Sequence, residues 1–402
     1  MAEPGATRFA LIIFARFVIL KTRIALASFC ALAGLALRVP AQDAVGPKVD
    51  PAAPPALAAL PKWSVFASLE SSFGFKDNLL LSSSAEERSA FARSATEAVV
   101  MRVPTGRLDY WLFVQAEGTH FFSGRTVENE TKVWIHNELG FRFGPDWKLN
   151  LPITGYYNDN VLDQSDTEVE RLAAEIKVTG VMAGPVFRWA FRPDWWVETE
   201  ATAQRQRYAD GSNDGRVTHA ALHLGWNVNE RVELRVSGNR RWRDFDSRAQ
   251  YSAAGRELDG THLKIDEDEA EFRLHLKWDR ATRWQTVTCA GIRHYRDNGS
   301  GYWDYREQKV EQEVEWNDGA WLVRFNGAAR RIDFGVQTVG IGISPPARRK
   351  DEYELELHVE RKVTSRWTLF GGYSWERSRS NDPVTSFVVN EGLLGVRWSW
   401  EK

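Results

Sequence analysis

From Lys62 onward, apolar and polar residues alternate with a period of two in one segment after another. Val232, Leu234 and Val236 share one phase; Glu233, Arg235, Ser237 and Asn239 share the other. Ala270, Phe272, Leu274, Leu276 and Trp278 alternate in the same way with Glu269, Glu271, Arg273, His275 and Lys277. Tyr353, Leu355, Leu357 and Val359 alternate with Glu354, Glu356, His358 and Glu360. Trp367, Leu369, Gly371, Tyr373 and Trp375 alternate with Thr368, Phe370, Ser374 and Glu376. A helix, with its period near 3.6, would mix these sets, whereas a strand puts them on opposite faces. The last stretch, Ser386 to Trp400, sets Leu394, Val396, Trp398 and Trp400 against Glu391, Gly395, Arg397 and Ser399. Left as an exposed edge in a soluble protein, so aromatic a strand would invite aggregation. It is expected instead to close a barrel in lipid, against a strand beginning near Trp63. The pattern is weakest from Leu172 to Phe191, where Gly180, Gly184 and Pro185 break phase and predict a bulge or irregular edge.

Tight turns punctuate the strands at Pro104-Thr105-Gly106, Gly144-Pro145-Asp146, Arg192-Pro193-Asp194, Asn227 to Glu230, Asp279 to Thr282, Asn317-Asp318-Gly319 and Thr364-Ser365-Arg366. Their Pro, Gly, Asn and Asp content is the chemistry of short connections. Longer polar loops alternate with them, around residues 78–89, 123–130, 160–170, 210–215, 246–264, 297–301, 335–350 and 379–385. Seven short turns and eight longer loops predict about 16 strands with both ends of the chain on the tight-turn side. The fold class expected is therefore all-β: a transmembrane, antiparallel, up-and-down barrel over residues 62–402. Trp147, Trp195, Trp284, Trp321 and Trp367 directly follow or adjoin tight turns, and Trp196, Trp226, Trp278 and Trp316 flank them. With Trp398 and Trp400 near the terminus, all but Trp196 make up the expected aromatic girdle on the periplasmic side.

Composition agrees with strands that meet two solvents. The chain has 18 Trp, 21 Phe and 10 Tyr, yet 26% of its residues are charged. A soluble β-sandwich also alternates, but would not need a Trp at one end of strand after strand. The net charge of -2 gives no footprint for a nucleic-acid partner. Arg16, Lys21 and Arg23 precede the apolar run Ile24 to Leu37, and Val39-Pro40-Ala41 supplies a small-residue cleavage site, so residues 1–41 read as an export signal. The run is short of the roughly 20 residues a membrane-spanning helix needs. Residues 42–61, rich in Pro and Ala, read as a periplasmic linker. Of the two cysteines, Cys30 lies in the signal, which leaves Cys289 alone in the mature chain and no intrachain disulfide. The expected destination is the Gram-negative outer membrane.

The opening strand, Leu69 to Ser82, carries Phe-Gly-Phe-Lys-Asp-Asn, and Gly155-Tyr156-Tyr157-Asn158-Asp159-Asn160 echoes it. These stretches resemble the β-barrel porin 2 proteins of Gram-negative outer membranes. The closing strand resembles the aromatic-ended signal read by the outer-membrane assembly machinery, though Glu401 and Lys402 follow the last aromatic. The resemblance implies location and fold more than a substrate.

Dedicated chemistry is sparse. On a strand His219 and His223 would lie roughly 13 Å apart, too far to chelate one metal. Asp210-Gly211-Ser212-Asn213-Asp214-Gly215 begins like a calcium loop, but Ala221 stands where the bidentate Glu belongs. No phosphate loop, nucleophile elbow or zinc-protease motif occurs. No catalytic residue, metal or cofactor is expected. What remains is charge on the polar phase: Arg235, Arg241, Arg243, Glu269, Glu271, Arg273, Glu311, Glu313, Arg324, Glu354 and Glu356 are the expected lumen-lining set. These charges either neutralise one another pairwise or form a field that selects solutes. The function expected is a passive channel for small hydrophilic solutes, as a monomer or homotrimer in outer-membrane lipid. The rivals are a barrel enzyme acting on lipid or peptide and a structural barrel with a plugged lumen.

Overall fold

The computed structural model describes residues 63–83, 86–102, 106–163, 173–279 and 281–402. The expected export signal and linker lie outside the described residues. The strands run β1 (Trp63–Lys76), β2 (Ser89–Arg102), β3 (Leu108–Phe121), β4 (Asn129–Phe143), β5 (Trp147–Asp163), β6 (Ala173–Ala183), β7 (Val186–Arg192), β8 (Trp195–Tyr208), β9 (Gly215–Asn229) and β10 (Val232–Phe245). A two-residue hairpin, β11 (Gln250–Tyr251) and β12 (Glu257–Leu258), sits in the next connection. Then follow β13 (Lys264–Lys277), β14 (Trp284–Asp297), β15 (Tyr305–Asn317), β16 (Trp321–Thr338), β17 (Ala347–Lys362), β18 (Trp367–Ser380) and β19 (Phe387–Glu401).

With β6 and β7 taken together and the separate β11–β12 hairpin set aside, each strand pairs antiparallel with its sequence neighbours, and β19 returns to β1 with Phe66 opposite Glu401 and Lys76 opposite Glu391. Closure leaves no free edge, the condition for a sheet to stand in lipid. The expected pairing of the last strand with the first is thus the one observed. β6 and β7 both lie between β5 and β8, so they are two halves of one interrupted strand. The 17 hydrogen-bonded segments therefore make 16 barrel strands among the described residues. The interruption is at Gly184 and Pro185, inside the stretch where the alternation falters. Pro185 has no N–H to give the ladder, and a Cβ on Gly184 would stand 2.0 Å from the Ala201 carbonyl oxygen.

The register fixes the faces. Leu234 stands opposite Leu274, and Leu274 opposite Thr288. One residue along, Arg235, Arg273, Cys289 and Glu311 lie in one row across four strands. The first row belongs to the face that leaves Leu394 74% and Phe73 66% exposed, while Ser68, Ser237 and Glu307 on the other face are 2%, 3% and 4% exposed. The apolar phase therefore covers the outside and the charged phase the inside.

Packed apolar clusters form where loops fold back onto inward-facing strand ends. Leu79 and Val127 from loops bury against Phe91 and Phe121 at one side of the mouth. Tyr302 and Trp303 bury against Phe245, Ile265 and Tyr295 at another, with Leu263. Asp297 fastens that second loop by accepting hydrogen bonds from the backbone N–H of Gly299, Gly301 and Trp303 at 2.7, 3.0 and 2.8 Å. These loops lie at the end of the barrel opposite the tight turns.

Candidate functional site: the charged inner face

Every residue of the expected lumen set falls on the inward phase, because strand parity carries each one there by register. Its densest part is an ion-pair lattice over β10 and β13 to β17. Glu269 and Glu271 both meet Lys309 Nζ, at 2.9 and 3.0 Å, and Lys309 also comes within 3.9 Å of Glu311. Arg235 and Arg273 stand opposite one another and share Glu271 at 3.8 and 3.6 Å. Arg241 binds Glu267 at 2.9 Å. Arg293 spans three carboxylates, Glu267, Glu269 and Glu307, at 3.3, 3.6 and 3.2 Å. Arg324 takes Glu315 at 2.7 Å and Glu313 at 3.6 Å, and Arg330 takes Glu354 at 2.6 Å and Glu352 at 3.6 Å.

Two members of the set stand outside these pairs. Arg243 donates to the Tyr208 hydroxyl at 3.2 Å and lies over the Phe245 ring, 4.3 Å from its centroid. Glu356 accepts one hydrogen bond, from Asn326 at 3.3 Å. Pairing is therefore extensive but local, and it leaves charge of opposite sign in two inner recesses. A cavity of about 190 Å³ near the loop end is lined by Arg241 and Arg243 against one acid, Glu267. A second, of about 270 Å³ and nearer the tight turns, is lined by Glu311, Glu313, Glu354 and Glu356 against Arg273 and Arg330. The net positive recess lies nearer the loop end and the net negative one nearer the tight turns.

Alternation also identifies partners that types and spacing alone did not single out. Glu267, Arg293, Glu307, Lys309 and Arg330 are inward, and the missing signal was cross-strand register rather than phase. His219 and His223 serve this wall as satisfied polar residues: His219 lies 3.4 Å from Glu200, and the His223 ring nitrogen 2.7 Å from the Ser237 hydroxyl. The loop at Asp210 is a hairpin tip, with the Ser212 N–H and hydroxyl both donating to the Asp210 carboxylate. Cys289 is buried on the inward phase with a free thiol.

The tryptophans of the expected girdle are on the outward phase at the tight-turn end. Trp195 and Trp226 stack at 5.1 Å, Trp284 stands opposite Trp316, and Trp367 opposite Trp398. Trp147 stacks on Trp189 at 4.8 Å, which adds a member from the interrupted strand. Trp321, Trp278 and Trp400 continue the ring on the same phase. Trp196, although it flanks a turn, faces inward: it is 4% exposed and lies under the Arg188 guanidinium at 3.9 Å.

No protein-family model or curated protein matches the chain. Among solved structures it is similar to OccAB3 of Acinetobacter baumannii at 11% identity and a TM-score of 0.46, over 84% of this chain and 99% of that one. OpdQ of Pseudomonas aeruginosa is similar at 8% identity and a TM-score of 0.46, over 84% and 98% of the two chains. An anion-selective porin from Comamonas acidovorans is similar at 9% identity and a TM-score of 0.44, over 84% and 99%.

Proposed function

We propose that the chain is an outer-membrane channel that lets small hydrophilic solutes diffuse through a charged, water-filled lumen. The observation that carries this reading is the division of one closed sheet into two surfaces: an aliphatic and aromatic exterior, and an interior lattice of carboxylates and guanidiniums. Only water inside and hydrocarbon outside reconcile the two, since unpaired strand edges and lipid-facing charge are both costly in a membrane. The seam formed by β1 and β19 is then the last event of assembly, with the aromatic-ended β19 as the segment offered to the outer-membrane assembly machinery. Transport needs no bound cofactor: fixed charges in a confined bore act directly on what passes, and the folded loops at the mouth limit solute size.

Proteoliposome swelling tests the reading. Vesicles holding the refolded mature chain should swell in isosmotic arabinose and more slowly in larger oligosaccharides. Vesicles that stay impermeable to every small sugar would support a plugged barrel instead.

A further inference from the structure

The outer surface carries a feature that a purely apolar lipid face would not. Toward the loop end of β15 to β18 the outward phase changes from apolar to charged over three neighbouring rows of the sheet, beginning at Arg377, which stands opposite Tyr353. Ala329, Tyr353 and Trp375 end the apolar part; Arg331, Arg377 and Arg379 begin the charged part, with Arg331 and Arg379 both opposite Asp351. Arg306 and Arg349 lie higher, each opposite Asp333. Asp333 is engaged by Arg349 at 2.7 Å and Arg331 at 3.5 Å. Arg306, Arg377 and Arg379 are exposed, and none of them has an ion-pair partner among the described residues. Five arginines against Asp333 and Asp351 leave a net charge of +3 on four adjacent strands, a patch roughly 14 Å wide at the usual strand spacing.

The excess is not uniform around the barrel: β8 and β9 carry outward Arg205, Arg207 and Arg216 with Asp246 on Arg205, whereas β5 and β6 carry no excess of cations. On the outward phase of β5 and β6, Lys177 is held between Asp159 at 3.2 Å and Glu175 at 3.0 Å, one cation to two carboxylates. At the tight-turn end the same strands present Trp321 and Trp367, and Arg361 is laid over the Trp321 ring at 5.1 Å. The two ends of the exterior are thus built for different headgroup layers. Tyr353, opposite Arg377, and Trp375, the next outward residue below Arg377 on β18, mark the height at which hydrocarbon gives way to headgroups. Unpaired guanidiniums are tolerated at that height, and their planar forks match phosphate oxygens bidentately.

We propose that this outward patch binds an anionic, phosphate-bearing lipid in the leaflet that meets the loop end, with Arg331, Arg377 and Arg379 as its principal contacts. The proposal rests on the reading of the barrel as membrane-spanning. Its occupant is a lipid because the patch stands directly above an apolar belt that acyl chains would cover.

The test uses the refolded mature chain in phosphatidylcholine vesicles doped with a dansyl-labelled, diphosphorylated lipid A, read by energy transfer from the protein's tryptophans. Insertion into undoped phosphatidylcholine, seen as heat-modifiable migration, reports on the membrane reading separately. Wild type should enrich the labelled lipid over its phosphate-free analogue. The triple variant Arg331→Gln, Arg377→Gln and Arg379→Gln should weaken that enrichment by about a hundredfold, a factor near five for each arginine. The lumenal triple variant Arg235→Gln, Arg241→Gln and Arg324→Gln, of equal charge change, should leave it intact. Equal enrichment of the phosphate-free analogue by wild type would overturn the proposal, whether or not the variants fold. So would an outward triple variant that inserts normally and enriches the lipid as wild type does, or a lumenal variant that loses as much.

Discussion

Arg397 of the last strand donates its Nε–H to Glu70 of the first, across the seam where the barrel closes. The same guanidinium reaches Glu360 two strands away at 2.8 Å, so one cation ties β1, β17 and β19. Arg397→Ala should leave the half-buried Glu70 carboxylate without its cation and Glu360 with only the His358 ring, 2.8 Å away. Loss of such charge-assisted bonds costs on the order of 1.5–3 kcal/mol, which would appear as earlier loss of the heat-resistant band on a temperature series. Arg397→Lys should recover part of it. An unchanged transition in Arg397→Ala would show that the seam is held by backbone pairing alone.

Backbone pairing itself is tested by truncation. A chain ending at Arg379 lacks β19 and leaves β1 and β18 as open edges in hydrocarbon, each unpaired polar group costing several kcal/mol. Such a chain should fail to insert and be degraded. Its recovery in the outer membrane at normal abundance would refute closure through β19.

Neighbouring residues on one strand should respond oppositely to charge. Leu274→Arg puts a cation on the lipid face, at a cost of roughly 2–4 kcal/mol near the midplane. Arg273→Ala, one position earlier, removes one of two arginines around Glu271 and should assemble. Folding yield into vesicles separates them; equal yields would contradict the assignment of faces.

The mouth loop should be sensitive to pH. Burial, with the Asp297 carboxylate close by, pushes the Asp304 carboxyl above the usual carboxylate range. A raised folded pKa means that the folded loop holds the proton more tightly than the unfolded chain. The loop should therefore lose stability as pH climbs from the ordinary value near 3.9 through the raised one, and keep it below. The protection factor of the Trp303 amide, with the intrinsic pH dependence of exchange divided out, should fall over that window in wild type and stay flat in Asp304→Asn. The same pH response in both would assign it to another group.

Much of this was legible from a period of two. Phase alone puts Arg235, Glu269, Glu354 and the girdle tryptophans on their observed faces, because a strand offers a side chain only two directions. Turn chemistry places the ends of strands, and the loss of phase around Gly184 marks the interruption. Phase could not say which carboxylate Arg293 would meet, since that depends on the stagger of neighbouring strands. Nor does it mark where an outward phase leaves hydrocarbon, which only the register shows by setting Arg240 and Arg377 toward the loop end. Loops have no period, and the burial of Leu79 and Trp303 across the mouth follows from tertiary packing alone.

On the reading proposed above, ions cross this lumen under the control of its fixed charges. Reversal potential across a planar bilayer holding the refolded mature chain, under a salt gradient at low ionic strength, tests it most directly. Replacing Arg235, Arg241 and Arg243 with Gln should move the potential toward cation preference, and replacing Glu311, Glu313 and Glu356 with Gln should move it toward anions. Both shifts should shrink near 1 M salt, where the screening length falls to about 3 Å. Stepwise conductance with those opposed shifts is the predicted result; folded, heat-modifiable protein that never conducts, or conducts with one unchanging reversal potential, would contradict the account.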